Sequence, residues 1–296
     1  MSPCAQLGNP RKTKSMSQSP IYNITAIGRP LDPQYASNKW VLLLMPLAGA
    51  ISGGAKYLQG GAIAEIAIAF LVGALVVFTS WALGRELAPD DNPTAFVSMG
   101  LAFVSLWMIE SASLLLLAVA LFLVRIVNRS TGLTPKLSDS IAVTALTLWA
   151  IYATHAAMLG AIGALAFFLD AFLRDGKTRQ FAFAVLCLAG TGLFIYQNGY
   201  GPAGNEFYSS LTAKLVAGVG VLYLGTIIFM RRLQSVGDID CAPLSLARVR
   251  GGMLIGLLVA AQALYTGVDG INSAAYLWAT LAGIVIGGAN RLFRAR

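Results

Sequence analysis

The stretch TAFVSMGLAFVSLWMIESASLLLLAVALFLVRIVN, residues 94–128, decides how the rest of the sequence is interpreted. It is apolar except for Glu110, Arg125 and a few small polar residues, and it contains no Pro. As one helix it would be about 50 Å long, whereas a hydrocarbon core about 30 Å thick takes about 20 helical residues. Because such a helix would need an extreme tilt, the run predicts two short helices with a bend at residues 110–113.

A second run, from Ile141 to Phe172, poses the same problem of length. His155 lies near its middle, as Glu110 does in the first run, and predicts a bend at residues 154–156. Each arm of the two bent runs has about 15–17 residues, which is at the short end of what spans a bilayer.

The distribution of Lys and Arg tests this interpretation, because cytoplasmic loops collect both residues. Six further apolar stretches predict spans: Trp40–Tyr57, Gly61–Gly84, Phe181–Tyr196, Leu211–Met230, Gly252–Thr266 and Ser273–Ala289. With both long runs bent, nearly every Lys and Arg falls on one side of the membrane, and only Lys56 and Lys214 fall on the other. We therefore predict an all-α, polytopic integral membrane protein of the inner (cytoplasmic) cell membrane. It has about ten short transmembrane helices in five hairpins, with both termini cytoplasmic.

Composition agrees with this class, because 57% of the residues are hydrophobic and only 11% are charged. Such a chain is neither a soluble globular domain nor a disordered one. The formal charge of +8 is what cytoplasmic basic loops produce, and these loops are expected to contact anionic lipid headgroups. Since no basic stretch is interleaved with aromatic residues on a soluble module, we expect no binding to nucleic acid.

The sequence predicts two parts. Residues 1–39 are polar and rich in Ser, Pro and basic residues, which indicates a flexible cytoplasmic tail without a cleaved signal. Residues 40–296 form a single transmembrane domain in this interpretation.

Ionisable residues within a membrane are candidate functional residues. Four are candidates for binding a substrate or an ion: Glu110, His155, Glu65 and Lys56. Glu110 and His155 occupy equivalent bends, so they form either a proton-sensitive pair or two hydrated turns. Lys56 and Glu65 flank the first outer turn, where they could simply pair with each other.

The loop GRELAPDDNP, residues 84–93, is the densest polar cluster in the chain. Its candidate residues are Arg85, Glu86, Asp90 and Asp91. Carboxylates of this kind hold Mg²⁺ on a lipid diphosphate in some enzymes, although Pro89 and Pro93 interrupt any helix that would align them. The alternative is a turn whose Asp or Asn residues cap the helix that starts near Thr94.

The longest outer connection runs from residue 196 to residue 208, and its candidate residues are Tyr196, Asn198, Tyr200 and Glu206. Its Gly, Asn and Tyr content predicts either a structured turn at the aromatic belt or a lid that recognises a partner.

Catalytic and cofactor motifs are missing from the sequence. It has one His, three scattered Cys and no GxSxG, HExxH, Walker or dinucleotide-binding pattern. We therefore predict no metal and no cofactor, and the sequence favours a non-enzymatic protein.

Three pairs of glycines are spaced four residues apart: Gly49 with Gly53, Gly252 with Gly256, and Gly283 with Gly287. Such pairs let helices approach closely. They predict packing inside the chain, with a homo-oligomer or contact with other membrane subunits as the alternative.

Two classes of function stay open. The chain has about 300 residues, and the sequence predicts ten short helices with both ends inside. This architecture is similar to the general plan of the drug/metabolite transporter superfamily. The resemblance implies an inverted repeat. Because few charges lie at the membrane midplane, this class predicts a permease for a small neutral or apolar solute. The alternative is a non-transporting protein, either an accessory or structural subunit of a larger complex or a lipid- or isoprenoid-handling enzyme that uses the acidic loop.

Overall fold

The computed structural model describes residues 20–33, 35–199, 201 and 205–294, without the side chains of residues 205, 206 and 290–294. Over these residues the protein is all-α, with no strand and one isolated antiparallel bridge between Val236 and Pro243. The helices are α1 (Ile21–Ile24), α2 (Ala36–Leu58), α3 (Ile63–Leu87), α4 (Asn92–Met108), α5 (Leu114–Asn128), α6 (Leu137–Thr154), α7 (Met158–Phe172), α8 (Gln180–Asn198), α9 (Asn205–Ser209), α10 (Leu211–Phe229), α11 (Leu246–Ala261), α12 (Val268–Ser273) and α13 (Ala275–Arg294). A 3₁₀ helix, Gln262–Thr266, continues α11.

In the described part of the chain, six helices are long and apolar enough to cross a membrane. These segments are Ala36–Leu58, Ile63–Leu87, Leu137–Thr154, Gln180–Asn198, Leu211–Phe229 and Leu246–Thr266. Three shorter apolar helices accompany them, namely Leu114–Asn128, Met158–Phe172 and Ala275–Ala289. The all-α membrane class is thus supported, while ten spans, five hairpins and two cytoplasmic termini stay predictions.

Both long apolar runs are interrupted where their length predicted a bend. In the first run, α4 ends at Met108 because Ile109 adopts an extended backbone conformation, with φ −137° and ψ 99°. In the second run, α6 ends at Thr154 because His155 adopts the left-handed conformation, with φ 53°. A non-Gly residue in this region cannot continue a right-handed helix.

Contacts along the chain divide it into two compact units. Unit 1 comprises Met1–Pro30, Val119–Pro202 and Leu224–Gln262. Unit 2 comprises Leu31–Ala118, Ala203–Tyr223 and Ala263–Arg296.

In unit 2, α2 packs antiparallel against α3 through small residues. A Cβ added at Gly49 would lie 2.9 Å from the carbonyl oxygen of Phe70, and one at Gly53 would lie 3.2 Å from that of Ile66. The short turn at residues 59–62 joins these two helices. Glycine therefore sets the close approach of the two helices, as expected for membrane helices.

Helix α13 packs on α4 in the same way. A Cβ at Gly283 would lie 2.5 Å from Ser98 Cα, and one at Gly287 would collide with Thr94. The hydroxyl of Ser98 donates a hydrogen bond of 2.9 Å to the carbonyl oxygen of Thr280, which adds a polar link between the helices.

In unit 1, α6, α7 and α8 form a tight group. A Cβ at Gly163 would lie 3.1 Å from Thr147 Cγ2 and 3.4 Å from Cys187 Sγ, so this glycine faces both neighbouring helices. Helix α11 joins this group at α7, where a Cβ at Gly251 would lie 3.6 Å from Leu169 Cδ1, and its Gly252 packs directly against the side-chain amide of Asn128 in α5.

Most of the predicted glycine faces are therefore occupied within a unit. Gly49, Gly53, Gly252, Gly283 and Gly287 each contact another segment of the same unit. Gly256, the sixth member of the predicted pairs, is buried. A homo-oligomer stays a prediction, and it would have to use other surfaces than the five faces that neighbouring segments already cover.

The contact between α4 and α13 gives a direct test. Gly283→Ala places a methyl group against the backbone of Ser98, so we expect a loss of about 1–3 kcal/mol of stability, as for overpacked cores. The measurement is thermal unfolding of the purified chain in detergent. Gly100→Ala on the exposed face of α4 is the matched control, because its Cβ meets nothing within 4 Å. It should be neutral or stabilising by about 0.5–1 kcal/mol. Equal melting of the two variants would contradict this packing.

Candidate functional site

The carboxylate of Asp170 is fully buried in the last turn of α7. A buried carboxylate is costly unless hydrogen bonds and opposite charges replace its hydration. Its Oδ1 accepts hydrogen bonds from Arg129 Nε at 2.7 Å and from Arg248 Nη1 at 2.9 Å. Its Oδ2 accepts one from Gln180 Nε2 at 3.0 Å. Both carboxylate oxygens are therefore satisfied.

These partners come from distant parts of the sequence. Arg129 directly follows α5, and Arg248 lies in the first turn of α11. Gln180 begins α8, and its Oε1 accepts a hydrogen bond of 2.9 Å from Ser140 in the first turn of α6. Together with Asp170 itself, the network joins the ends of five helices of unit 1. We call these residues the Asp170 network.

The guanidinium groups also donate to backbone carbonyl groups at helix ends and just beyond them. Arg129 Nη1 donates to Asp175 O at 2.9 Å, and Arg248 Nη1 donates to Val127 O at 3.0 Å. Arg248 Nη2 donates to Arg174 O at 2.6 Å. The last carbonyls of a helix lack partners within the helix and carry partial negative charge. Val127 lies in the last turn of α5, and Arg129 Nη2 also donates to Asp170 O in the last turn of α7 at 3.4 Å, so the two Arg residues bind carbonyls at the C-terminal ends of both helices.

The helix ends contribute to the charge balance of the network. Two guanidiniums face one carboxylate, and the accessible side-chain fractions are 7% for Arg129, 0% for Asp170 and 7% for Arg248. Each helix C-terminus contributes a partial charge of about −0.5. The ends of α5 and α7 therefore offset the second guanidinium.

A neighbouring network holds residues 20–30 against the start of α6. Asp139 Oδ2 accepts hydrogen bonds from the backbone N–H of Ala26 and of Lys136, both at 2.9 Å. Thr131 Oγ1 donates to Ala26 O at 2.6 Å. Asp139 therefore caps α6 and binds this segment with the same oxygen.

Ionic contacts extend this attachment. Lys136 Nζ donates to the carbonyl oxygen of Tyr22 at 2.7 Å. Arg29 donates through Nε and Nη2 to the two carboxylate oxygens of Asp238, at 2.6 and 2.8 Å. Residues 20–30 were predicted as part of a flexible tail, but the structure shows them hydrogen-bonded to the helical unit. Residues 1–19 of the predicted tail lie outside the described residues.

Two of the predicted candidates, Lys56 and Glu65, are neighbours across the turn at residues 59–62. Lys56 Nζ lies 3.7 Å from Glu65 Oε2, and the same oxygen accepts a hydrogen bond of 3.1 Å from the backbone N–H of Ala62. Glu65 thus also closes the start of α3. Whether either residue binds a substrate or an ion stays a prediction.

The predicted pair Glu110 and His155 falls in different units. Glu110 is exposed in the turn between α4 and α5. His155 is exposed at the end of α6, with its ring centroid 5.9 Å from that of Phe194. Proton-sensitive pairing of the two stays a prediction.

The basic end of the acidic loop packs within unit 2. The guanidinium carbon of Arg85 lies 5.3 Å from the ring centroid of Trp81, within the range of cation–π attraction. Arg85 Nη1 also donates to Asn38 Oδ1 at 3.3 Å. Glu86 is buried at the end of α3.

The acidic end of this loop stabilises the start of α4. Asp91 Oδ2 accepts a hydrogen bond of 2.6 Å from Thr94 Oγ1, whereas Asp90 is exposed. Among the residues that the structure describes, no group of three or more His, Cys, Asp or Glu side chains is arranged to hold a metal ion. Asp91 stands at the N-cap of α4 without a side-chain hydrogen bond to the helix backbone, so the metal-diphosphate interpretation and the capping turn both stay predictions.

The connection after α8, which was predicted to lie on the outer side, is described only in part. Tyr196 is exposed, and Asn198 Nδ2 donates back to the carbonyl oxygen of Phe194 at 3.1 Å. Tyr200 and the side chain of Glu206 lie outside the described residues. A role for this connection as a lid stays a prediction.

Sequence reasoning missed the Asp170 network. A signal was present, because Asp170 interrupts the apolar segment ALAFFLDAFL, and an ionisable residue there needs a partner. Its cationic partners were interpreted only as loop charges that set topology. Their separations from Asp170, 41 and 78 residues, gave no local pattern to recognise.

Comparisons with protein-family models, curated proteins and solved structures give no match to this chain. Function is therefore inferred from the chemistry of its residues. Both oxygens of Asp170 accept hydrogen bonds from protein groups, so the Asp170 network fastens helix ends and offers no ready base or nucleophile.

Replacing the central carboxylate tests the network. Asp170→Asn leaves Arg129 and Arg248 without their anion, and we expect a loss of about 3–5 kcal/mol, as for other broken buried ion pairs. The measurement is again thermal or denaturant unfolding in detergent.

The matched control is Asp175→Asn, the same chemical change in the next turn of chain. Asp175 is 78% exposed and lies 3.7 Å from the exposed Arg174. Its φ of 62° suits Asn, so the effect should stay within about ±0.5 kcal/mol. Similar losses in both variants would refute the assigned role of Asp170.

Proposed function

We propose that this chain is a multi-pass permease for a small neutral or apolar solute in the inner membrane of the cell. In this proposal it has ten spans in five hairpins, with both termini in the cytoplasm. The two helix interruptions support it, because each shortens an apolar run that is too long for a single span. The buried charged side chains lie near the helix ends, and this position supports an uncharged solute.

Every described charged side chain that is buried lies in the first or last turn of an apolar helix or directly beside it. These residues are Glu86, Arg125, Arg129, Asp139, Asp170 and Arg248. The buried polar groups in the middle of the helices of unit 1 are hydroxyls, such as those of Thr144, Thr147 and Thr191. A charged solute would need a compensating charge at this depth. A neutral solute needs only such hydroxyls or apolar contact.

The cations of unit 1 support the proposed orientation. Arg248 binds the carbonyl oxygen of Arg174, and Arg250 binds that of Met230, so these three chain segments meet at one end of the unit. Lys177 is exposed at the turn between α7 and α8, and Arg232 is exposed in the segment after α10. An end rich in Lys and Arg faces the cytoplasm by the positive-inside rule.

Orientation is tested by cysteine labelling in intact cells, in a chain whose three natural Cys are replaced. Lys177→Cys and Arg232→Cys should resist a membrane-impermeant maleimide until the cells are opened. Tyr196→Cys, at the other end of α8 and exposed, should react from outside. Opposite accessibility of positions 177 and 232 would overturn the proposed topology.

Transport is tested in proteoliposomes that contain the purified full chain. Stopped-flow light scattering would follow entry of glycerol, urea and erythritol, with choline chloride as a charged solute. We expect at least one neutral solute to enter several-fold faster than in protein-free vesicles, and choline to show no such gain. Vesicles with an unrelated helical membrane protein at the same ratio control for leakage. Equal rates for all neutral solutes in all three preparations would reject the permease.

A further inference from the structure

The turn between α7 and α8, at residues 173–179, carries four exposed charged side chains, namely Arg174, Asp175, Lys177 and Arg179. Three cations and one anion give this turn a net charge of +2. Arg174 Nε lies 3.7 Å from Asp175 Oδ2, and Arg179 Nη2 donates a hydrogen bond to the carbonyl oxygen of Pro135. The ammonium group of Lys177 has no partner among the residues that the structure describes. The turn therefore presents uncompensated positive charge beside the start of α8.

The backbone of this turn is held in place by the buried guanidinium groups of the Asp170 network. Arg248 Nη2 donates to Arg174 O at 2.6 Å, and Arg129 Nη1 donates to Asp175 O at 2.9 Å. Gly176 keeps the turn tight, because a Cβ at this position would collide with backbone atoms at the end of α7. Since the backbone is fixed, a ligand of the exposed cations would not have to order the turn first.

Lys177 lies at the top of one exposed face of α8. The carbonyl oxygens of residues 177–179 accept hydrogen bonds of 3.0–3.1 Å from N–H groups three residues further on, so the chain already winds helically before α8 begins. With helical winding, residues four apart share a face, which places Lys177 in line with Phe181, Val185 and Leu188. These three apolar side chains are all exposed. Because α8 is long and apolar enough to cross a membrane, this face meets lipid chains.

Three phenylalanine rings widen the apolar surface next to the turn. The ring centroid of Phe181 lies 5.8 Å from that of Phe168 in α7, and Phe168 stacks on Phe172 with centroids 5.8 Å apart. All three side chains are exposed. An exposed apolar surface next to exposed cations matches the order of groups in a phospholipid, whose acyl chains lie directly below its phosphate.

We propose that the turn at residues 173–179 and these phenylalanine rings bind one anionic phospholipid of the phosphatidylglycerol class. The ammonium group of Lys177 contacts the lipid phosphate, and one acyl chain lies along Phe181 and Val185. Arg174, with 92% of its side chain accessible, adds positive charge at the level of the headgroup. This site requires that α8 crosses the membrane, and it does not depend on the proposed permease function.

Charge complementarity selects an anionic headgroup. A turn with a net charge of +2 attracts a lipid with a net negative charge, whereas the ammonium group of a zwitterionic lipid meets repulsion. A free phosphate ion would contact the cations but leave the phenylalanine rings uncovered. Acyl contacts alone give little preference for one lipid over another, so the preference must come from the charges.

The test uses the full chain in nanodiscs with equal parts of phosphatidylglycerol, phosphatidylcholine and phosphatidylethanolamine. After extraction into detergent, native mass spectrometry would count the lipids that the protein retains. The wild type should retain one phosphatidylglycerol in preference to the other two lipids. Preferential retention of a zwitterionic lipid, or equal retention of all three, would overturn the proposal.

Lys177→Gln removes the cation that has no partner. Because one Lys near a membrane surface is worth about fivefold in affinity for anionic lipid, we expect about fivefold less retained phosphatidylglycerol. Adding Arg174→Gln should lower retention further. Lys214→Gln is the matched control, because it makes the same change at another exposed lysine, on α10. Unchanged retention in Lys177→Gln, or an equal loss in Lys214→Gln, would refute the site.

A second pair of variants tests the phenylalanine rings. Phe172→Ser removes a ring that is 75% exposed at the last residue of α7, and we expect a severalfold loss of retained phosphatidylglycerol. Phe229→Ser is the control, because Phe229 is 73% exposed at the last residue of α10. Melting curves would confirm that all variants fold.

A competition arm separates a lipid site from a site for free anions. Glycerol 3-phosphate in large excess should leave the retained lipid in place, because it carries the phosphate but no acyl chain. Displacement of the lipid by glycerol 3-phosphate, or equal retention in Phe172→Ser and the wild type, would contradict the role of the rings.

Discussion

A carboxylate without water needs cations and donors placed close to it, and Asp170 imposes this constraint on unit 1. Its partners bring together the end of α5, the starts of α8 and α11 and, through Gln180, the start of α6. Helices α5 and α7 have only 15 residues each, so in the proposed ten-span arrangement their last carbonyls lie close to the apolar layer, where water is scarce. Arg129 and Arg248 supply the donors that these carbonyls need. The network therefore offsets the cost of ending these short helices where water is scarce.

The middle segments of the helices are held together by a different kind of contact. Hydrophobic attraction is weak between helices that are surrounded by lipid, so close packing and hydrogen bonds hold them together. Glycine supplies the close packing, as at Gly163 between α6 and α8 and at Gly283 against α4. Hydroxyl groups supply the hydrogen bonds, as when Ser98 bonds the carbonyl of Thr280. In both units, charged residues lie near the ends of the helices and small residues lie between them.

The sequence predicted those features that depend on local length and composition. The all-α class and the two helix breaks followed from apolar runs of known length, and the contact of Lys56 with Glu65 followed from a short turn. The Asp170 network could not be predicted, because it depends on how distant helix ends meet in space. The attachment of residues 20–30 was missed for a related reason. Their bonds to Asp139 and Asp238 use mainly backbone groups and one Arg, which leave no hydrophobic pattern in the sequence.

The completeness of the Asp170 network limits where the proposed permease can recognise a solute. Both oxygens of Asp170 are engaged, and so are the N–H groups of Arg248 Nη1 and Nη2, which bond Asp170 and helix-end carbonyls. A solute would have to replace several charged hydrogen bonds at once to bind there, and leaving a buried charge unpaired is costly. Binding at the threonine hydroxyls of α6 and α8 breaks no charged hydrogen bond. A hydroxyl that donates to a carbonyl still has lone pairs that can accept a hydrogen bond from a solute. In the proposed permease, recognition of a neutral solute therefore belongs to the middle of the helices, and the charged helix ends keep the helices in place around it.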